Sequence, residues 1–461
     1  MLSPSLIDAL EVIVGPDRVR RDEPSRLAYG TDGTQQGHPA DVVVLPASTA
    51  EVSRVATLCH AERVPMVPRG GGTGYTGGAV PIHGGVVISL ERLNRILAID
   101  EESLLAVVQP NVVTGDLQTA VEARGLFYPP DPASLRECAI GGNVAECAGG
   151  PRAFKYGTTR RYILALEAVL PDGTVIRTGS KTVKNVVGYD LTQLLVGSEG
   201  TLAIVTEVTV RLIPKPPARA TLRATFDRVE AAAASVTALV RARVVPSAIE
   251  LIDWDSLQAI AAYRGDEALA PAGTGALLLI EVDGLAEAVA EEARRVEVAC
   301  RESGAIEVLR AADEAERDRL WQVRRDLSPA LKTLAGLKLN NDIVVPKGRI
   351  PELFDLVGRL RQTHGVLIAC FGHAGDGNIH VNVMVDPEDT DAVERAHHAV
   401  RALFEGVIAL EGSISGEHGI GTSKKPYLSI ELSPQQIALM KRVKAAFDPD
   451  GVLNPGKMFP D

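Results

Sequence analysis

Short apolar runs dominate the first half of the chain. VVVLPAS at 42–48, residues 65–69 and GVVISL at 85–90 read as strands. Between the first two, residues 50–64 carry the 3.6-residue apolar spacing of a helix. The stretch 95–112 (RILAIDEESLLAVVQPNV) predicts two strands folded back at the acidic turn 100–103. A helix is expected over 114–124 with Thr114 as its N-cap. A proline-rich loop at 128–134 (YPPDPAS) leads into a second glycine-rich stretch at 141–150. Strands on either side of the turn 171–173 and another near 202–212 complete a mixed α and β half.

The segment 214–218 (PKPPA) is a stiff, poorly helical linker and marks a domain boundary. Beyond it the rhythm changes. Long helical patterns at about 226–242, 284–302, 313–332, 350–363 and 388–409 alternate with single strands. The strands fall near 247–253, 276–283, 304–309, 338–345 and 366–372, with a hairpin from 366–372 to 379–385. This pattern predicts an α+β sandwich with helices on one face of a sheet.

Composition narrows the class. The chain has 461 residues, 46% hydrophobic and 23% charged, as an ordinary globular enzyme would. A formal net charge of -11 gives no footprint for nucleic acid. Any anionic substrate must therefore meet locally placed positive charge. Cys59, Cys138, Cys147, Cys300 and Cys370 form no CxxC pair, which argues against a disulfide framework and a cysteine-held metal cluster. Reduced thiols point to the cytoplasm. No run of 18 apolar residues occurs, and the N-terminal MLSPSLIDALEVIVG reads as an amphipathic helix rather than a signal peptide. Peripheral attachment at the inner membrane stays open.

Residues 68–78 read PRGGGTGYTGG, and the six glycines within 70–78 suit close backbone approach to an anion. Gly72 to Gly77 formally matches GxGxxG. A nicotinamide loop of that kind opens a helix directly, whereas here another strand follows. Backbone amides alone, with no helix terminus behind them, are then expected to carry the anion. A flexible surface loop is the competing reading.

Histidines gather in two other glycine-rich places. His373 and His380 lie in FGHAGDGNIH, where a hairpin brings them together. His380 opens the alternating strand HVNVMV and shares a face with Asn382. Glu417 and His418 lie in GSISGEHGIGTS. Two imidazoles and a carboxylate suit a catalytic divalent metal such as zinc, manganese or iron. The alternative is a set of polar loop histidines that only form hydrogen bonds. For a substrate carboxylate, Arg324 and Lys338 are the candidate partners, since arginine can clamp a carboxylate with two parallel bonds.

PRGGGTGYTGG, YPPDPAS, GGNVAECAGG, KYGTTRRYILALEAVLPDG and GYDLTQLLVGSEGTLAIVTEV, in this order, resemble the FAD domain of the vanillyl-alcohol-oxidase superfamily. The likeness runs from about residue 20 to 460. It is closest to the FAD-linked D-lactate dehydrogenase and glycolate oxidase D-subunit branch, with D-2-hydroxyglutarate dehydrogenases in the same group. The resemblance implies an α+β chain in three parts. Residues 1–215 would bind FAD, 216–424 would form a substrate domain with a ferredoxin-like sheet and the metal site, and 425–461 would return to the flavin.

It further implies that Arg69, Gly70, Gly71, Gly72, Thr73 and Gly74 hold the FAD pyrophosphate. Pro130, Asp131, Ser134, Gly142 and Asn143 would line the flavin, Ile204 would lie near the adenine, and Asn454 would contact FAD from the tail FDPDGVLNPGKMFP. Thr73 stands where some relatives carry a flavin-linking histidine, so FAD is expected to be non-covalent. His83 lies outside that motif and reads as a surface residue.

On the same likeness, His373, His380 and Glu417 are metal ligands and His418 is the general base. Arg324 grips the substrate carboxylate, with Arg325 one register step away. Lys338 is less secure, because relatives often carry an acid where this chain has Asn341. The implied reaction is metal-assisted oxidation of a D-2-hydroxy acid, with D-lactate or glycolate favoured, by hydride transfer to flavin N5. A quinone, an electron-transfer flavoprotein or an iron–sulfur partner subunit would reoxidise the flavin. The competing functions are D-2-hydroxyglutarate oxidation, a non-catalytic electron-relay subunit of an oxidase complex, and an alkylglycerone-phosphate synthase-like enzyme.

Overall fold

The computed structural model describes residues 2–34 and 37–460, and the chain divides into two compact units. The first holds 1–149, 158–215 and 417–461; the second holds 150–157 and 216–416. One break falls at the proline-rich linker. The next falls after Gly416, so Glu417 and the residues that follow belong with the first unit. Residues 150–157 join the second unit because Lys155 and Tyr156 both bind Asp283, at 2.5 Å (Nζ to Oδ1) and 2.8 Å (Oη to Oδ2).

In the first unit a four-stranded sheet runs Val19–Arg20, Val42–Val44, Val86–Ser89, Met66–Arg69. The last three strands are parallel. Helices Pro4–Val14 and Thr49–Ala61 supply Leu6, Leu10, Val14, Val52 and Val55 to its core. Val452 and Leu453 of the C-terminal tail enter the same core. A five-stranded antiparallel sheet orders Ile96–Asp100, Leu105–Val108, Ile204–Arg211, Ile163–Val169, Val175–Gly179. The helix Thr114–Glu122 forms, but Val113 occupies its cap position. Thr114 instead accepts a 2.6 Å hydrogen bond from Asn143, a tertiary contact that local spacing does not reveal.

The second unit is built on a seven-stranded antiparallel sheet. Its order is Glu307–Arg310, Ala218–Phe226, Ala276–Gly284, Ala248–Asp253, Leu367–His373, Asn378–Val385, Leu337–Val344. The strand Ala218–Phe226 and a helix Trp254–Arg264 lie outside the expected elements.

Helices do not keep to one face. Trp254–Arg264 and Glu314–Lys332 pack on Ile252, Leu277, Leu279, Phe371 and Met384. Val229–Arg241, Ala286–Glu302, Ile350–His364 and Thr390–Ala409 pack against one another and against strands of the sheet. Strand residues 276–283 are all buried, which requires cover on both faces. No helix among the described residues is long and apolar enough to cross a membrane.

Candidate functional site

In the first unit the glycine loop follows the strand Met66–Arg69. Arg69 turns its side chain inward: Nη1 donates to the Thr31 carbonyl at 2.5 Å. Gly72 has φ +67 and lies under that guanidinium, so any side chain there would displace it. Gly33 donates from its N–H to the Gly74 carbonyl at 2.8 Å, and Asp32 Oδ2 accepts from the Gly77 N–H at 2.7 Å. These two residues brace the loop, and its sequence alone gave no sign of them.

The expectation that no helix stands behind the loop is corrected. The second glycine-rich stretch folds into the helix Ile140–Glu146. A Cβ on Gly71 would lie 3.3 Å from the Ala139 nitrogen, and one on Gly70 would lie 3.5 Å from the Gly142 nitrogen. The loop therefore abuts the first turn of a helix that begins some 70 residues further along, a pairing that a contiguous motif cannot express.

In these two glycine-rich stretches, Gly74 and Gly142 have no neighbour that excludes a side chain: no atom of the described residues stands within 4 Å of where a Cβ would be, and neither needs positive φ. Asn454 adds an open acceptor. Its Nδ2 donates to the carbonyls of Gly78 (2.9 Å) and Glu199 (2.8 Å), while its buried Oδ1 has no partner among the described residues. Its main-chain N–H bonds the Met66 carbonyl at 2.6 Å, which ties the tail to the strand that feeds the loop. An unfilled glycine cradle with a lone buried acceptor fits a dinucleotide such as FAD.

Of the other expected contacts, Pro130 accepts at its carbonyl from Gln118 (2.8 Å), and the Ser134 carbonyl accepts from Glu137 and Cys138. Asp131 is half-buried. Asn143 is spent on Thr114. Ile204 is 1% exposed in the apolar core, which leaves only its main chain to offer.

The GEHGIG loop rests on the same glycine run. The amides of Thr422 (2.8 Å) and Ser423 (3.1 Å) bond the Thr76 carbonyl, and Thr76 Oγ1 donates to the His418 carbonyl at 3.0 Å. The His418 ring stacks on Tyr75 with centroids 5.4 Å apart. Glu417 reaches over Gly149, where a Cβ would come within 2.6 Å of its Oε2. Glu199 accepts from the amides of Ile420 and Gly421, each at 2.7 Å. Burial, with the charges of Glu199 and Asp32 adding to it, pushes the Glu146 carboxyl well above the usual range. Sequence reading missed both acids, since nothing in GGNVAE or VGSEG marks a buried carboxylate.

In the second unit, strand register puts the remaining candidates on one sheet face. Glu250 pairs with His373, and His373 with Asn378. In the adjacent row Ile252 pairs with Phe371, Phe371 with His380, and His380 with Asp342. Asn382 and Asn340 pair in the next row, and Met384 with Lys338 in the one after. The face is thus polar at one end and apolar along Ile252, Phe371 and Met384.

The His373 and His380 rings meet edge-on, 5.4 Å apart. His373 Nδ1 lies 2.6 Å from Glu250 Oε1, and His380 Nδ1 lies 3.9 Å from Asp342 Oδ1. Asp342 also accepts from Asn378 (2.6 Å) and from the amide of Gly416 (3.0 Å), the residue before Glu417.

The helix Glu314–Lys332 lies over this face and turns Arg324, not Arg325, toward it. Arg324 is buried, donates from Nε to Glu250 Oε2, and stacks 4.7 Å from the Phe371 centroid. Arg325 is exposed and bonds Gln322 on its own helix. Burial alone would raise the Glu250 carboxyl, but Arg324 and then His373 outweigh it and hold it at about 2. Lys338 donates to Ser328 Oγ at 2.7 Å, one helical turn beyond Arg324. Burial, with Lys332 adding to it, lowers Lys338 to about 8. Glu250 was absent from the sequence-derived set, because AIELID reads only as an apolar strand.

Two family models match the chain. "FAD binding domain" covers residues 40–179, and "FAD linked oxidases, C-terminal domain" covers 215–458. The glycolate oxidase subunit GlcD of Bacillus subtilis (strain 168) is 43% identical over 460 residues, covering 100% of this chain and 97% of that protein. A D-lactate dehydrogenase of Anaerostipes hadrus is 37% identical, covering 91% and 89%. A D-2-hydroxyglutarate dehydrogenase of Stutzerimonas stutzeri (strain A1501) is 36% identical, covering 100% of each. Among solved structures, substrate-bound p-cresol methylhydroxylase superposes with a TM-score of 0.82 at 18% identity, covering 98% and 96%. That last likeness supports the expected fold. The chain belongs to the FAD-linked oxidase family. It is a flavin-dependent oxidoreductase whose cofactor is FAD.

Proposed function

We propose that this chain oxidises a D-2-hydroxy acid to its 2-oxo acid, with glycolate and D-lactate as the favoured substrates. The observation that carries the reading is the polar end of the second unit's sheet, where His373, His380 and Asp342 share a face with Arg324 above Glu250. An electron-relay subunit has no use for such a row. The glycolate oxidase and D-lactate dehydrogenase relatives point the same way.

In this reading Arg324 takes the substrate carboxylate. Its Nε is committed to Glu250, and its two terminal nitrogens hold no hydrogen bond among the described residues. Lys338 adds positive charge beside it. His373, His380 and Glu417 would hold a divalent metal, a donor set of two imidazoles and one carboxylate that leaves coordination positions open. Such an ion would favour the ionised hydroxyl by direct charge. His418 takes the hydroxyl proton, a role that suits histidine at neutral pH. The glycine cradle and Asn454 orient FAD, which accepts the C2 hydride at N5 when bound. Reoxidation falls to a quinone, an electron-transfer flavoprotein or an iron–sulfur partner subunit.

The test is dye reduction by the purified flavoprotein with glycolate, D-lactate, L-lactate and D-2-hydroxyglutarate, with and without zinc or manganese. Preference for D-2-hydroxyglutarate would move the chain to the reading favoured by its third relative. EDTA dialysis should abolish turnover and a divalent ion should restore it; full activity without metal refutes the ligand set. His418→Ala should retain FAD yet lose flavin reduction in a stopped-flow trace, and undiminished reduction removes His418 as base.

A further inference from the structure

We propose that Glu250 is a positioning residue that serves both halves of this site: Oε1 accepts a hydrogen bond from Nδ1–H of His373, which leaves Nε2 as the ligand atom, and Oε2 fixes Arg324 through Nε. The inference rests on the metal and carboxylate roles proposed above.

Glu250 is fully buried on the strand Ala248–Asp253, opposite His373 in register. A neutral imidazole has one N–H and one lone pair, and whichever nitrogen is protonated cannot bind a metal. The 2.6 Å contact from Nδ1 to a carboxylate decides that choice for His373. A carboxylate behind a ligand histidine also makes the ring a stronger donor. For Arg324, one edge bound to Glu250 and a face on Phe371 pin the guanidinium plane, so its terminal nitrogens point one way. Burial requires a partner for each carboxylate oxygen, and Glu250 meets that need with these two side chains.

Two measurements test this on the FAD-loaded chain. The first is zinc affinity by chelator competition. Glu250→Gln should weaken it about 10–100-fold, the loss expected for an outer-shell carboxylate, with FAD content unchanged. Arg324→Lys should leave zinc affinity at the wild-type value and raise KM for glycolate. Tight zinc binding by the wild type that Glu250→Gln leaves unaltered overturns the role of Glu250 while sparing the metal site. A wild type that binds no zinc overturns the metal reading. The second measurement needs no folded Glu250 variant. Long-range 15N–1H spectra of histidine-labelled, metal-free wild type should show His373, assigned by its loss in His373→Ala, protonated at Nδ1 and bare at Nε2. The opposite tautomer overturns the proposal even if zinc binds.

Discussion

Gly74→Ala and Gly142→Ala separate the cofactor's demands from those of the fold. At both positions the added methyl meets no protein atom within 4 Å, and the backbone needs no left-handed conformation. With no clash to oppose it, alanine should stabilise the FAD-free chain by about 0.4–1 kcal/mol, because the unfolded chain loses freedom. Gly142 lies inside the helix Ile140–Glu146, which places it at the upper end of that range. If FAD lies against these amides, with its pyrophosphate at Gly74 and its flavin at Gly142, the methyl holds it away. Loss of one hydrogen bond to a charged oxygen costs about 1.5–3 kcal/mol. That corresponds to a Kd for FAD about 10–150-fold weaker. Gly71→Ala is the contrasting variant: its methyl would lie 2.7 Å from the Glu137 carbonyl, so both stability and FAD binding should fall. The assay pairs thermal melts of the deflavinated chain with flavin-fluorescence titrations. Wild-type FAD affinity in both Gly74→Ala and Gly142→Ala would refute the cradle.

Lys338 is held at about 8 by burial and by Lys332, so it carries its charge below that pH. kcat/KM for the hydroxy acid should fall as pH rises through about 8, and Lys338→Arg should move the fall upward; an unchanged profile excludes Lys338 from substrate binding. The same shift has a stability sign. A lysine whose folded pKa lies below its unfolded value favours the fold when neutral, a contribution lost as pH falls through about 8. Lys338→Met should therefore melt above wild type at pH 7, and the gap should narrow by pH 10. Buried Asp448 accepts from the amides of Val452 (3.1 Å) and Leu453 (2.8 Å) and pairs with Lys444. Asp448→Ala should destabilise the first unit by about 3–5 kcal/mol, as breaking a buried ion pair does, seen as a lower melting temperature. A shift of under one degree would place the tail's anchor elsewhere.

The sequence by itself determined what local pattern and contiguous motif can carry. Alternation in HVNVMV and LKLNNDIV, helical spacing in 284–302 and 350–363, and the proline-rich break at 214–218 all reappear as elements or boundaries. The glycine run and the FGHAGDGNIH hairpin stood out as candidates because their residues are neighbours in sequence. The helix Trp254–Arg264 escaped because its apolar residues Leu257, Ala259, Ile260 and Ala261 are not confined to one stripe.

Tertiary structure alone decided the partners. Glu250 reaches His373 across 123 residues, and Asn143 reaches Thr114 across 29. Only strand register aligns Glu250, His373, His380 and Asp342 on one face, and only helix packing chooses Arg324 over Arg325. A buried carboxylate is tolerated only where distant chain supplies its hydrogen bonds, and no local window contains that information.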